Sequence, residues 1–374
     1  MTSPELAIIG GGQLARMMTP PAIALGIKTR LLAEGDDVSA AQVIPDYVVG
    51  SHLVLADLKA AIGEAPVVTF DHEHVPSEHL EALSAAGHAC RPGPHALLFA
   101  QDKLAMRRRL TELQVPCPRW AQIQSMQDVR DFGFPLVLKT ARGGYDGKGV
   151  WVIREEAEAV DIIENATVEL LAEELVDFSR ELSAQVARSA SGEVVAYPVV
   201  ESRQENGVCA EVIAPAPNLD SVRGAEAAAI ARSVAERLDV VGMLAVELFE
   251  TGDGRILVNE LAMRPHNTGH WSIDGAVTSQ FENHVRAVLD LPLGSTAPVY
   301  AWSVMVNILG GTEPDLVARR RVALAAEPDV HIHLYGKEVK PGRKVGHVTA
   351  SGTDLESVLD RARRSAALVK GEEN

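Results

Sequence analysis

Short apolar runs, set between polar and glycine-rich turns, open the chain. Leu6, Ala7, Ile8 and Ile9 form one such run and lead into Gly10-Gly11-Gly12-Gln13-Leu14-Ala15. A run this short, bounded by glycines, predicts a strand buried on both faces. Thr29 to Ala33 repeats the pattern and ends at Glu34, and Val67 to Phe70 is a third run. The stretches between them have helical spacing. One helix is expected after the glycine loop, interrupted near Pro20-Pro21, because proline removes a backbone donor and crowds the preceding turn. Another is expected to start near Ser77 as its N-cap. Strands alternating with helices over about 95 residues predict a parallel, doubly wound, Rossmann-like sheet.

Beyond His95 the pattern changes. Residues 95–113 read as one charged, periodic helix, ended by Pro116-Cys117-Pro118. Residues 136–213 read mostly as strands with glycine turns, apart from a helical stretch near 157–165. An alanine-rich amphipathic helix is expected at 221–238, a hairpin at 244–261 and a further helix at 278–289. After Leu293 the tail is mixed, with a basic, glycine-containing segment at 335–347. These shifts divide the chain into residues 1–95, 96–295 and 296–374, all of α/β type.

Composition narrows the functional classes. A net charge of -16 over 374 residues argues against nucleic acid or an anionic membrane as partner, while leaving room for a local anion pocket. Cys90, Cys117 and Cys209 are scattered and odd in number, as expected of reduced thiols in a cytoplasmic protein. No apolar run is long enough to span a bilayer. Nine of the 35 basic residues are lysines, and five of them fall at Lys139, Lys148, Lys337, Lys340 and Lys344. Where arginine is the default, a lysine marks a place for a compact ammonium.

Two glycine loops are candidate phosphate cradles. The first fits G-x-G-x-x-A after a strand, with Glu34 about twenty residues on, the dinucleotide fingerprint. The second, KTARGGYDGKGVWVI at 139–153, is not a P-loop. Arg142 stands where that motif needs glycine, and Gly149 where it needs Ser or Thr. Apolar runs on both sides predict a flap between antiparallel strands, whose backbone N–H groups and Lys148 would lie over phosphates, with Lys139 reaching the same place.

The hairpin LAVELFETGDGRILVNEL carries the metal expectation. A two-residue turn at Asp253-Gly254 sets Phe249 opposite Val258 and Glu247 opposite Glu260. Facing carboxylates repel. Mg²⁺ bound between them would remove the penalty, with Asn259 beside it.

Taken together, IIGGGQLARMM, PLVLKTARGGYDGKG, LAEELVDFSRELS, NELAMRPHNTGHWSID and SQFENHVRAVLDLPLG resemble the N5-carboxyaminoimidazole ribonucleotide synthetase family of ATP-grasp ligases over essentially the whole chain. That resemblance implies an ATP-grasp fold: a Rossmann-like first domain, a central ATP-grasp domain and a small C-terminal α/β domain. It implies ATP phosphates at Lys103, Lys139 and the flap Gly144, Tyr145, Asp146, Gly147, Lys148, Gly149 and Val150. The adenine falls to Glu173, Glu174, Leu175 and Val176, the ribose to Glu181, and Mg²⁺ to Glu247 and Glu260 with Asn259 adjacent. Gln204, where a histidine is common, is expected near the nucleotide. The ribonucleotide is expected between Gln13, Leu14 and Glu73 on one side and Arg264, His266, Asn267 and His270 on the other. Lys337, Arg343 and Lys344 would hold its 5′-phosphate. Tyr145, Asp146 and Lys148 face it from the flap, and Asp146, His266 or His270 would take the amine proton. A homodimer is implied as well.

Two departures stand out. Asp71-His72-Glu73-His74 occupies a segment usually richer in Glu-Phe-Glu-Asn. In an extended chain His72 and His74 share a face, which raises a transition-metal pair without a third ligand. Thr268 replaces a usual serine. Competing readings are another ATP-grasp ligase such as a formate-dependent glycinamide ribonucleotide transformylase, an NAD-dependent oxidoreductase built on the first glycine loop, or a nucleotide-binding protein without catalysis.

Overall fold

The computed structural model describes residues 4–144, 148–205 and 207–372. Five parallel strands come first: β1 (Leu6–Ile9), β2 (Thr29–Ala33), β3 (Tyr47–Val49), β4 (Val67–Phe70) and β5 (Ala89–Cys90), ordered β3-β2-β1-β4-β5. β1 and β4 are wholly buried, as central parallel strands must be. The helix Gln13–Ala24 runs unbroken through Pro20 and Pro21, contrary to the interruption expected. Met17, Met18 and Ala22 pack with Phe281, Val285 and Val288, so burial of that face outweighs two lost backbone bonds. Ser77 is already helical, and Pro76 holds the cap position.

A four-stranded antiparallel sheet follows, ordered β6-β9-β7-β8: β6 (Trp120–Ile123), β7 (Leu136–Thr140), β8 (Val150–Ile153) and β9 (Leu170–Glu174). β7 and β8 are antiparallel with Lys139 opposite Val150, so the second glycine loop is a flap between strands. The helices Met126–Phe132 and Glu156–Glu164 cover one face through a core of their own.

The remaining strands form one large sheet: β10 (Phe178–Arg188), β11 (Val194–Ala196), β12 (Val200–Glu205), β13 (Val208–Ala214), β14 (Gly242–Thr251), β15 (Ile256–Ala262), β16 (Trp302–Leu309), β17 (His331–Leu334) and β18 (Lys344–Gly352). Its order is β15-β14-β10-β12-β13-β16-β18-β17, with β11 beside β10. Residues after 296 thus extend the sheet begun by the central part, while Leu316–Ala326 and Leu355–Lys370 cover their own apolar cluster on it. A single core joins β1 and β4 to β10, β14 and the helix Ser221–Arg237, fixing the first sheet against the large one.

Two local differences from expectation shape the site. The helix expected at 95–113 breaks at Asp102 into Pro94–Gln101 and Lys103–Glu112. Asp102 caps the second helix, accepting from the Ala105 N–H at 2.9 Å, which leaves Lys103 at the helix start. In the hairpin, Thr251 bonds across to Arg255, leaving a three-residue loop with Gly254 at φ +89. Phe249 therefore faces Leu257, not Val258. A bulge at Asn259 then inserts one residue on β15 and restores Glu247 opposite Glu260.

Candidate active site

The three sheets enclose one cleft of about 1270 Å³. At one end, Lys103 pairs with Glu260 across the cleft wall. The Lys139 Nζ lies 2.7 Å from Glu173 Oε2 and donates to Asn259 Oδ1 at 3.1 Å. Behind them is Arg107, fully buried. Its Nε donates to Glu173 Oε1 at 2.6 Å, and its two terminal nitrogens donate to the Val258 and Asn259 carbonyls at 2.8 and 2.6 Å. One guanidinium thus ties β9 to the bulge of β15. Burial acts to raise the Glu173 carboxyl, but Arg107 and Lys139 overcome it and hold it down at about 2. Glu173 therefore orients Lys139 by its side chain, while Glu174, Leu175 and Val176 continue along the cleft wall. Phe178 and Phe249 stack at 4.7 Å beside that segment.

Glu247 behaves in the opposite way. Burial, then Glu260 and Glu181, raise its carboxyl well above 4.5, with only partial relief from Lys103 and Lys344. Burial also raises Glu181, against a hydrogen bond from Gln204. The His266 Nε2 is 3.4 Å from Glu247 Oε1, and its Nδ1 is 2.9 Å from the Thr268 hydroxyl. Two facing carboxylates, one held partly protonated for want of positive charge, with an amide oxygen alongside, fit a hard dication such as Mg²⁺.

At the other end, Gln13 and Leu14 start the first helix, and Lys337 pairs with the Gln13 side-chain oxygen. Burial lowers the Lys337 ammonium, with Asp71 acting to raise it. Arg343 and Lys344 line the same wall. The Glu73 carboxylate is taken up by Arg264 Nε at 2.7 Å and the Met263 N–H at 3.1 Å, so it aims Arg264 into the cleft. Burial holds His266 and His270 well below their ordinary value, which leaves both neutral. Among the described residues, neither amide atom of the half-buried Asn267 side chain, nor His270 Nε2, has a hydrogen-bond partner. Polar atoms left so at a cleft wall are places for a ligand.

With this geometry in place, comparison with known proteins is decisive. The N5-carboxyaminoimidazole ribonucleotide synthase of Mycobacterium tuberculosis is 50% identical over 374 residues, covering 97% of this chain and 87% of that protein. The chain belongs to the N5-carboxyaminoimidazole ribonucleotide synthase family. Its parts match a ribonucleotide synthetase preATP-grasp domain over 4–101, an ATP-grasp domain over 108–281 and a phosphoribosylaminoimidazole carboxylase C-terminal domain over 303–361. The synthetase of Thermus thermophilus superposes with TM-score 0.88 at 37% identity, covering 98% of this chain and 99% of that one. An Aspergillus clavatus synthase solved with ADP and 5-aminoimidazole ribonucleotide gives 0.89 at 29% identity, covering 99% of both chains.

Within this synthase fold the residues expected at the site converge, though they span positions 13 to 344. Gly144, Lys148, Val150 and Gln204 line the cleft. Gly149 does not; at φ +71, a Cβ there would lie 2.5 Å from the Thr140 hydroxyl, so it shapes the flap. Tyr145, Asp146 and Gly147 lie outside the described residues. The first glycine loop cannot serve a dinucleotide. The Gly11 N–H already donates to Glu34 at 3.0 Å and the Ala15 N–H to Asp71 at 2.7 Å. A Cβ on Gly12 would sit 2.0 Å from an Asp71 oxygen. Two carboxylates thus occupy amides a pyrophosphate would need. The His72 and His74 rings stack with centroids 5.2 Å apart, and no third donor joins the two of them among the described residues.

Sequence reasoning missed Arg107, Asp71 and the Phe178–Phe249 stack. Arg107 had a signal: it falls on the buried stripe of Leu104 and Leu110, and a cation on an apolar stripe needs a buried partner. Asp71 had none, because only the fold brings it beneath the glycine loop.

Proposed function

We propose that this chain carboxylates the exocyclic amine of 5-aminoimidazole ribonucleotide, using ATP and bicarbonate, and forms N5-carboxyaminoimidazole ribonucleotide, ADP and phosphate in purine biosynthesis. The observation that carries the reading is the single cleft. It joins a lysine-rich phosphate end, a facing carboxylate pair and a second cationic wall of Lys337, Arg343 and Lys344 around Arg264, Asn267 and His270.

A bicarbonate oxygen attacks the γ-phosphorus of ATP, the bond to the β-phosphate oxygen breaks, and ADP and carboxyphosphate result. The amine nitrogen then attacks the carboxyl carbon, directly or as released CO₂. Phosphate leaves and the nitrogen gives up a proton. Lys103, Lys139 and Lys148 offset charge on the transferring phosphoryl group. Mg²⁺, held by Glu247 and Glu260 with Asn259 adjacent, would supply further neutralisation of the phosphates. Glu181 accepts from the ribose hydroxyls, with Gln204 near the nucleotide. Arg264 and Asn267 line the part of the cleft assigned to the ribonucleotide. His266 and His270, held neutral, are each able to accept the amine proton, as is Asp146 if the flap brings it there. The enclosed cleft limits the water that would hydrolyse an acyl phosphate. Cytoplasmic operation as a homodimer completes the reading, and sedimentation equilibrium tests the dimer.

The test is ADP release with MgATP, with the ribonucleotide and bicarbonate each present or withheld. Turnover that needs both, with an acid-labile carbamate as product, supports the assignment. Turnover with glycinamide ribonucleotide and formate instead would overturn the substrate.

A further inference from the structure

A second constellation lies on the far side of the first glycine loop. Glu34 follows β2, His52 follows β3 and His72 follows β4. All three sit beyond the carboxyl ends of parallel strands that surround β1, where open α/β sheets place ligands. One donor atom from each lies within 4.8 Å of the others. The His52 and His72 rings meet edge-on with centroids 4.5 Å apart, and His72 Nε2 is 3.7 Å from Glu34 Oε1. Both His52 Nδ1 and His72 Nε2 are buried atoms without a hydrogen-bond partner among the described residues.

We propose that Glu34, His52 and His72 bind a divalent transition metal of the zinc class. Two imidazoles and a carboxylate with an open fourth position are a donor set that such ions take. The protonation states suit it. Burial and His72 lower His52, favouring the neutral ring that coordinates. Burial acts to raise Glu34, but the His72 ring 3.7 Å away and the Gly11 N–H outweigh it and hold the carboxyl below its ordinary value. The Gly11 N–H takes up Glu34 Oε2 and so turns Oε1 toward the histidines, the outer-shell contact that orients a ligating carboxylate. Glu34 is half exposed, which leaves an entry path. Loading has one cost: coordination through Nε2 moves the His72 ring proton to Nδ1, which now accepts from the His74 N–H at 3.2 Å. His72 also lines the large cleft next to Glu73, so an occupied site would fix the turn that aims Arg264.

The experiment is titration of the full chain with Co²⁺ in excess Mg²⁺, which blocks the Glu247–Glu260 site, followed by displacement with Zn²⁺. The expected result is one equivalent of Co²⁺ with visible absorption bands, displaced by Zn²⁺, and a rise in Tm with Zn²⁺. His52→Ala, His72→Ala and Glu34→Gln should each weaken binding at least about tenfold, while His74→Ala leaves it intact. His52→Asn, which keeps a neutral polar side chain, serves if the alanine variant does not fold. No Co²⁺ bound in excess Mg²⁺, or binding unchanged in the His52 and Glu34 variants, overturns the proposal.

Discussion

Glu173 and Glu247 stand in the same cleft, and burial pushes both carboxyls upward. One ends at about 2 and the other is raised. The difference lies in what the fold places around them. Glu173 sits between a fully buried guanidinium and an ammonium, both within 2.7 Å. Glu247 sits opposite Glu260 and near Glu181, with Lys103 already drawn to Glu260. The first carboxylate is satisfied and acts on structure, because it holds Lys139 in place. The second is left short of positive charge, which is the state a site needs if it is to bind a cation with the nucleotide.

Substitution separates the two. Glu247→Gln and Glu260→Gln should each lower kcat by about 10³ or more, as expected when charge stabilisation of a phosphoryl transfer is lost, with far-UV circular dichroism unchanged. Steady-state ADP release checks this, and near-normal turnover in either variant would break the assignment of the pair. Glu173→Gln should instead lose about 3–5 kcal/mol of stability in urea titrations, since it strands buried Arg107. Replacing Arg107 by Met together with Glu173→Leu should cost less than Glu173→Gln alone, and a double loss equal to or larger than the single one would refute the pairing argument.

The pH dependence should run in opposite directions. The folded state holds its proton on Glu247 more tightly than the unfolded chain does. Stability without divalent cation therefore falls as pH rises above 4.5 and through the raised folded value. Added Mg²⁺ should raise Tm more at pH 8 than at pH 5, and Glu247→Gln should abolish that trend. Glu173 contributes stability above its unfolded value of 4.5, and that stability is lost as pH falls toward about 2. Thermal scans across pH with the two Gln variants sharpen the contrast. The smallest effect is expected at the turn. Gly254→Ala forces a positive φ on a side chain and should cost about 1 kcal/mol. Its kcat should stay near normal if the Asn259 bulge, anchored by Arg107, fixes the carboxylate register. A large loss of kcat would show that the turn fixes it.

The hairpin also shows how far local reasoning reaches. Glu247 was expected opposite Glu260 from a two-residue turn, and the pair does meet, but through a three-residue loop compensated by a bulge. Two offsets of one residue cancel. Turn propensity resolves neither, because the bulge is held by a guanidinium 152 residues earlier in the chain. The split at Asp102 is similar: periodicity sees one apolar stripe across 95–113, while the break comes from a capping carboxylate that also bonds Arg142 at 3.0 Å.

The sequence by itself determined the alternating strands and helices of the first sheet, the glycine flap between β-strands, the acidic hairpin and the motifs that mark the synthase family. Those features depend on side-chain period and short spacings, which neighbours along the chain specify. Tertiary structure alone decided that Glu34 and Asp71 take the amides of the first glycine loop, that Arg107 is buried against Glu173, that His52 meets His72, and that Gln13 shares a wall with Lys337. Each of these is an electrostatic or hydrogen-bonded match between groups distant in sequence, whose strength exists only once packing has removed the water between them.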